Sequence, residues 1–214
     1  MEDIVKITME SLRQNGMEAF FVEKAEDVRA LIIGLMKPGC SAAVGGSVTL
    51  KQTGVHELLR SGDYQFLDRY TPGLTPEDVK EIHRKSFCAD VYLSSANAIT
   101  MNGDLYNVDG SSNRVASICY GPENVIIIAG INKIVPDIKS AVRRVKTIAA
   151  PKNCVRLGKK TYCAEKGYCQ ALDNDEMTAG CSSPDRICCS YVISGKQAKS
   201  GRIKVILVGE ELGY

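Results

Sequence analysis

The run NVIIIAGI, residues 124–131, constrains the fold of this chain more than any other stretch. After its leading asparagine it has no polar side chain, so neither face can meet water, and a strand of this kind needs packing on both sides. It belongs at the centre of a covered sheet. The remaining sequence supplies the covers. Ile4, Val5, Met9 and Leu12 fall near helical spacing before Asn15-Gly16, and MEAFFVE follows as a strand. EDVRALIIGLM reads as a helix stopped by KPG, and SAAVGG as a short buried strand. SVTLKQTGVHELLRSG is a helix bounded by Ser47 and Gly62, and YQFLDR a strand. TPEDVKEIHRKSFCAD, with Thr75 as cap and Pro76 in the first turn, is a helix that leads into the strand VYLSSANAIT. VPDIKSAVRRVKTIAA puts Ile138, Val142 and Val145 near one helical face. ICCSYVI and RIKVILVGE close the chain as two strands, expected to form an antiparallel edge.

This alternation predicts an α/β fold, a largely parallel sheet flanked by helices. At 214 residues and 44% apolar, the chain suits one domain, 1–214, able to fill its core without disulfide staples. With 27 basic and 25 acidic side chains it has no surplus field for a polyanion, so nucleic acid is not an expected partner. Arg143, Arg144 and Lys146 read as the solvated side of a helix. The first residues have no secretory pattern and no apolar run approaches a bilayer span, so membrane insertion is not expected and the cytoplasm is. There, nine cysteines read as thiols, metal ligands or redox groups rather than disulfides.

Two loops could build a small-molecule site. In AVGGSVTL, Gly45 and Gly46 allow close backbone approach, and Ser47 and Thr49 add hydroxyls at a helix start that suits an anion. The loop has neither the P-loop lysine pattern nor GxGxxG, so it specifies neither ATP nor a dinucleotide. In ITMNGDLYNVDGSSNRV, Asn102-Gly103 and Asp109-Gly110 are turn signals, while Asp104, Asn113 and Arg114 gather polar groups after a buried strand. Glu57 is a candidate general acid or base and Asp104 a second, with local turn capping as the alternative for Asp104. His56 and His83 read as solvent-facing, and Lys133 in GINK is a candidate carboxylate partner.

Cys163, Cys169, Cys181, Cys188 and Cys189 gather late in the chain, within or beside a cysteine-rich insert at 154–189, whereas Cys40, Cys88 and Cys119 read as small core residues and Cys154 is ambiguous. Thiolates could hold zinc or an iron–sulfur cluster, although the spacing matches neither common pattern. Read as part of a strand, Cys188 and Cys189 point to opposite faces.

VGGSVTLKQTGVHELL, NGDLYNVDGSSNRVASICYGPENVIIIAGINKIV, RLGKKTYCAEKGYC and CSSPDRICCSYVI together resemble the lactate-utilization (LUD) domain family. The resemblance implies a fold like that of the isomerase and CoA-transferase superfamily, with a glycine-loop crevice. It also implies a link to a cytoplasmic iron–sulfur system that oxidises lactate to pyruvate, with an iron–sulfur redox protein as partner, and a homodimer follows by fold analogy. Cys163, Cys169, Cys181 and Cys188 match the order of the family's four-cysteine motif, with QALDNDEMTAG as an added stretch and Asp185 and Arg186 as a loop-fixing ion pair. Three functions stay open: an anion-binding subunit or accessory protein of organic-acid oxidation, a non-redox isomerase or acyl-transfer enzyme, and a metal- or redox-sensing binding protein.

Overall fold

A computed structural model describes residues 2–214. Ten strands form two sheets. Six parallel strands lie in the order β1-β10-β7-β4-β2-β3, formed by Glu18–Val22, Ile203–Val208, Asn124–Gly130, Val91–Ser94, Ser41–Val44 and Gln65–Phe66. The run at 124–131 supplies the interior strand β7, as its composition requires. Val125, Ile127 and Ala129 pack into one apolar cluster and Ile126 and Ile128 into the other, so the two faces alternate residue by residue. Helix α1 (Glu2–Gln14) buries Val5, Thr8 and Leu12. Helix α2 (Val28–Leu35) buries Val28 and Ile32 against the opposite cluster.

The second sheet has the order β8-β5-β6-β9, from Ile134–Val135, Ala98–Thr100, Leu105–Asp109 and Ser190–Ser194. The two C-terminal strands therefore do not pair. β9 joins the small sheet, while β10 enters the large one between β1 and β7, where its own apolar run is covered on both sides. The segment expected as one helix from Ser47 is two, α3 (Val48–Gln52) and α4 (Val55–Leu59), because Gly54 takes φ +67° between them. Helix α5 (Pro76–Lys85) starts on a capping box of Thr75 and Asp78, and α6 spans Asn113–Tyr120.

From Ile138 a helical run continues to Arg156 as α7 (Ile138–Arg144), a wide π turn (Val145–Ala149) and α8 (Ala150–Arg156). The Ala150 amide reaches Val145 O rather than the carbonyl four residues back, and Pro151 next to it has no amide to donate. Of the basic residues expected to face solvent here only Arg143 does so; Arg144 and Lys146 are buried. Arg144 donates to the carbonyls of Asn132 and Asn97, and Lys146 to those of Ala171, Asn174 and Glu176. Helix α9 (Tyr162–Lys166) is the last helix; the chain from 167 to 189 has neither helix nor strand.

Candidate functional site

The large sheet has its switch point at the β2/β4 boundary. From β2 the chain turns outward to β3, and from β4 it runs inward toward β7. Crevices of this kind open at the carboxyl ends of the strands. Here the residues after β2 (Gly46–Thr49), after β4 (Ser95–Asn97), after β7 (Lys133) and after β10 (Gly213 and Tyr214) line one cleft of about 670 Å3.

The glycine loop contributes in two ways. Gly46, Ser47 and Thr49 line the cleft. Gly45 lies beneath them, and a Cβ there would stand 2.7 Å from Ser94 Oγ and 3.0 Å from Arg114 Cγ, so its small size serves packing. Ser47 caps α3 by accepting from the Leu50 amide. Thr49 Oγ1 accepts from Lys133 Nζ at 2.9 Å, and Ser95 Oγ accepts from the same amine at 2.9 Å. Lys133 is only 3% exposed. Burial, and after it the charges of Arg144 and Arg114, pull its pKa from 10.5 down to about 7.

Arg114 behaves differently. Its Nε pairs with Asp109 Oδ2 at 3.2 Å, Nη1 donates to Ser95 O and Asn107 Oδ1, and Nη2 to Asn97 Oδ1 and Val108 O. All five guanidinium hydrogens have acceptors, so Arg114 holds the loops together and has no donor left for a ligand. Asn113 stands in the cleft with Nδ2 3.2 Å from His83 Nδ1, and Arg69 Nη1 lies 3.4 Å from His83 Nε2. Burial first, then Arg69, lowers the His83 pKa below 6.5. Arg69 Nε is buried with no partner.

Other expected residues lie elsewhere. Glu57 is exposed on α4 and outside the cleft lining, because the Gly54 break turns Val55, His56 and Leu59 inward instead. Asp104 closes the β5–β6 turn through Thr100 Oγ1 at 2.8 Å, in which Gly103 takes φ +82° and a Cβ would meet the Ser11 backbone at 2.6 Å. Neither histidine faces solvent: His56 is buried against Tyr70, and His83 lines the cleft. His83 was legible in one respect. Pro76, Val79, Lys80, His83 and Arg84 line the cleft at helical spacing along α5.

The lining carries seven lysines and arginines, Arg69, Lys80, Arg84, Arg114, Lys133, Arg156 and Lys159, against a single side-chain carboxylate, Asp109. Asp109 is held by Arg114, and Lys159 has Asp185 at 3.6 Å. Among the described residues the other five basic side chains have no carboxylate partner. Lys133 lies buried at the floor with Arg144 behind it and Arg69 is half-buried, while Lys80, Arg84 and Arg156 are exposed.

A second, smaller cavity lies behind the cleft wall. Cys163, Cys169, Cys181 and Cys188 all line it, joined by Cys154. Cys188 and Cys189 precede β9, yet they part as expected, Cys188 turned inward and Cys189 exposed. Asp185 and Arg186 do not pair with each other. Asp185 accepts from the Lys160 amide, and Arg186 donates to the carbonyls of Thr178, Cys181 and Cys188. Cys88 and Cys119, expected in the core, are exposed, and Cys40 is half-buried.

Fold and cleft define a class: an α/β protein with a basic crevice at the carboxyl ends of a parallel sheet. The LUD domain model matches residues 5–208, and the chain belongs to the LUD domain family. A solved DUF162 family protein from Deinococcus radiodurans superposes with TM-score 0.54 at 15% identity, over 97% of each chain, and shares the fold. The β subunit of eIF2B from Chaetomium thermophilum is similar over 53% of this chain and 39% of its own, at TM-score 0.35 and 16% identity. No curated protein matches in sequence. Among the described residues no helix is long and apolar enough to cross a membrane.

Proposed function

We propose that the cleft binds a small anionic metabolite, a carboxylate or phosphate ester, and that the protein serves lactate or related organic-acid oxidation as a subunit or accessory protein. One observation carries this reading: the basic side chains lining the cleft, Lys133 buried among them and Arg69 half-buried, outnumber its one side-chain carboxylate, which Arg114 already holds. Uncompensated buried charge is costly, and an anion in the cleft offsets it. The volume of about 670 Å3 is that of a site for a ligand larger than a three-carbon acid, so the metabolite carries further polar or charged groups toward Lys80, Arg84 and Arg156. Lys133 supplies a donor at the floor, Arg69 an unused Nε–H, and Asn113 an amide. Oxidation of such a ligand passes its electrons to a cofactor or a partner such as an iron–sulfur protein, because side chains do not accept them reversibly.

A second reading, proton transfer without redox chemistry, is favoured by Lys133, which titrates near neutrality and can both give and take a proton. Thermal unfolding with a panel of hydroxy acids, keto acids and sugar phosphates tests binding. Stabilisation by multiply charged ligands and none by their neutral analogues is the expected pattern, lost in Lys133→Met. No response to any anion, or an equal response to neutral analogues, overturns the anion-binding reading. Turnover of a sugar phosphate without an electron acceptor would select the second reading over the first.

A further inference from the structure

Five of the nine cysteines border one cavity, and they come from separate places: Cys154 on α8, Cys163 on α9, and Cys169, Cys181 and Cys188 along the irregular chain that follows. Its free space is about 30 Å3, room for one small body. Cys154 Sγ and Cys163 Sγ are 3.7 Å apart, too far for a disulfide and close to the edge of about 3.8 Å that a tetrahedron of sulfurs has around an ion bound at about 2.3 Å.

The charges around the cavity point the same way. Lys146 and Arg186 both line it, and among the described residues neither has a carboxylate partner. Their donors go to loop carbonyls and, for Arg186, to Tyr191 Oη. Four thiolates on a divalent ion carry a net charge of about −2, which one lysine and one arginine balance. Thiols acting only as small apolar fillers leave both cations without a counter-charge. The segment 167–189 is also long for a stretch with neither helix nor strand, and segments of that kind are commonly held by a functional or cross-linking device.

We infer that this cavity is a soft-metal site of four thiolates, with Cys154 and Cys163 as its anchoring pair and two of Cys169, Cys181 and Cys188 completing it. Among the described residues no three potential ligands already stand at single-ion distance, so the loop cysteines draw in as the metal binds. Cys188 also lines the anion cleft, which places the centre directly behind the cleft wall.

The test uses the full chain, purified without oxygen, with zinc, iron and acid-labile sulfide measured per chain. Stoichiometric zinc makes the centre a single ion, and iron with sulfide makes it a cluster. Either supports the site if the metal is lost in Cys154→Ser and kept in Cys119→Ser, whose thiol is exposed outside the cavity. Retention of metal in Cys154→Ser overturns the anchoring assignment. Because a serine variant can misfold, cobalt(II) is also added to the reduced, metal-free wild-type chain. Thiolate charge-transfer bands with intense tetrahedral visible absorption are expected. A spectrum of aqueous cobalt, or a non-reduced mass showing a Cys154–Cys163 disulfide and no bound metal, overturns the proposal.

Discussion

The basic cleft and the cysteine-lined cavity share a wall of Val145, Ala150, Ile187 and Cys188, yet their interiors differ in kind. The cleft is roomy and lined by basic side chains; the cavity is small, largely apolar and ringed by sulfur. One helical run serves both. Ala149 and Asn153 face the cleft, while Val142, Lys146 and Cys154 face the cavity, on either side of the wide turn before Pro151. The contrast shows how burial gives similar side chains different work. Arg114 and Lys133 are both buried cations of the cleft, but Arg114 has every donor bonded within the fold, whereas Lys133 rests on two hydroxyls that have other acceptors within reach.

The largest expected effect breaks the scaffold side of this contrast. Arg114→Met leaves Asp109 buried and unpaired and removes bonds that join three loops, so urea unfolding should show a loss of about 3–5 kcal/mol. An unchanged midpoint would mean that Arg114 is free to serve a ligand. Lys133→Met should act in the reverse manner. Folding stability stays level or rises by about 1 kcal/mol, because a desolvated amine becomes apolar, while affinity for a bound anion falls by about 100-fold, or about 3 kcal/mol. Calorimetry and urea unfolding on the same variant separate the two effects.

Lys146→Met sharpens the boundary between the regions. The carbonyls of Ala171, Asn174 and Glu176 lose their shared donor, and the variant should be about 1–3 kcal/mol less stable and cleaved faster by protease between residues 170 and 178. Anion binding in the cleft should be unchanged; a loss of both would show that the two regions fold as one unit. The mildest effect is a pH dependence. The folded-state pKa of Lys133 lies below its ordinary value of 10.5, so between about 7 and 10.5 the unfolded chain binds more protons and this group's contribution makes stability rise with pH. Unfolding midpoints should show that rise in wild type and lose it in Lys133→Met.

Much of the fold was legible in the sequence because it rests on local apolar pattern. The run at 124–131 needed cover on both faces and has it, the short run at 91–94 became its parallel neighbour, and the run at 41–44 the next strand out. What was not legible depends on distant partners. No local signal says that β10 pairs with β1 and β7 rather than β9. Arg144 and Lys146 look solvated because their acceptors are backbone carbonyls, which leave no mark in composition. Thr49 and Lys133, singled out by residue type and neighbourhood, line the cleft, and the four cysteines singled out by the family resemblance border one cavity. Glu57 was misplaced by one glycine, Gly54, whose positive φ divides the helix. Cys154 was left ambiguous because only the fold brings α8 beside α9.

The most direct measurement is calorimetric titration of sulfate, a permanently charged dianion, at pH 8 in two buffers of different ionisation heat. Lys133 is mostly neutral at that pH and an adjacent anion favours its charged form, so binding should take up about one proton, and Lys133→Met should take up none and bind far more weakly. Equal heats in both buffers, with the same affinity in the variant, would contradict a cleft whose buried positive charge is completed by an anion.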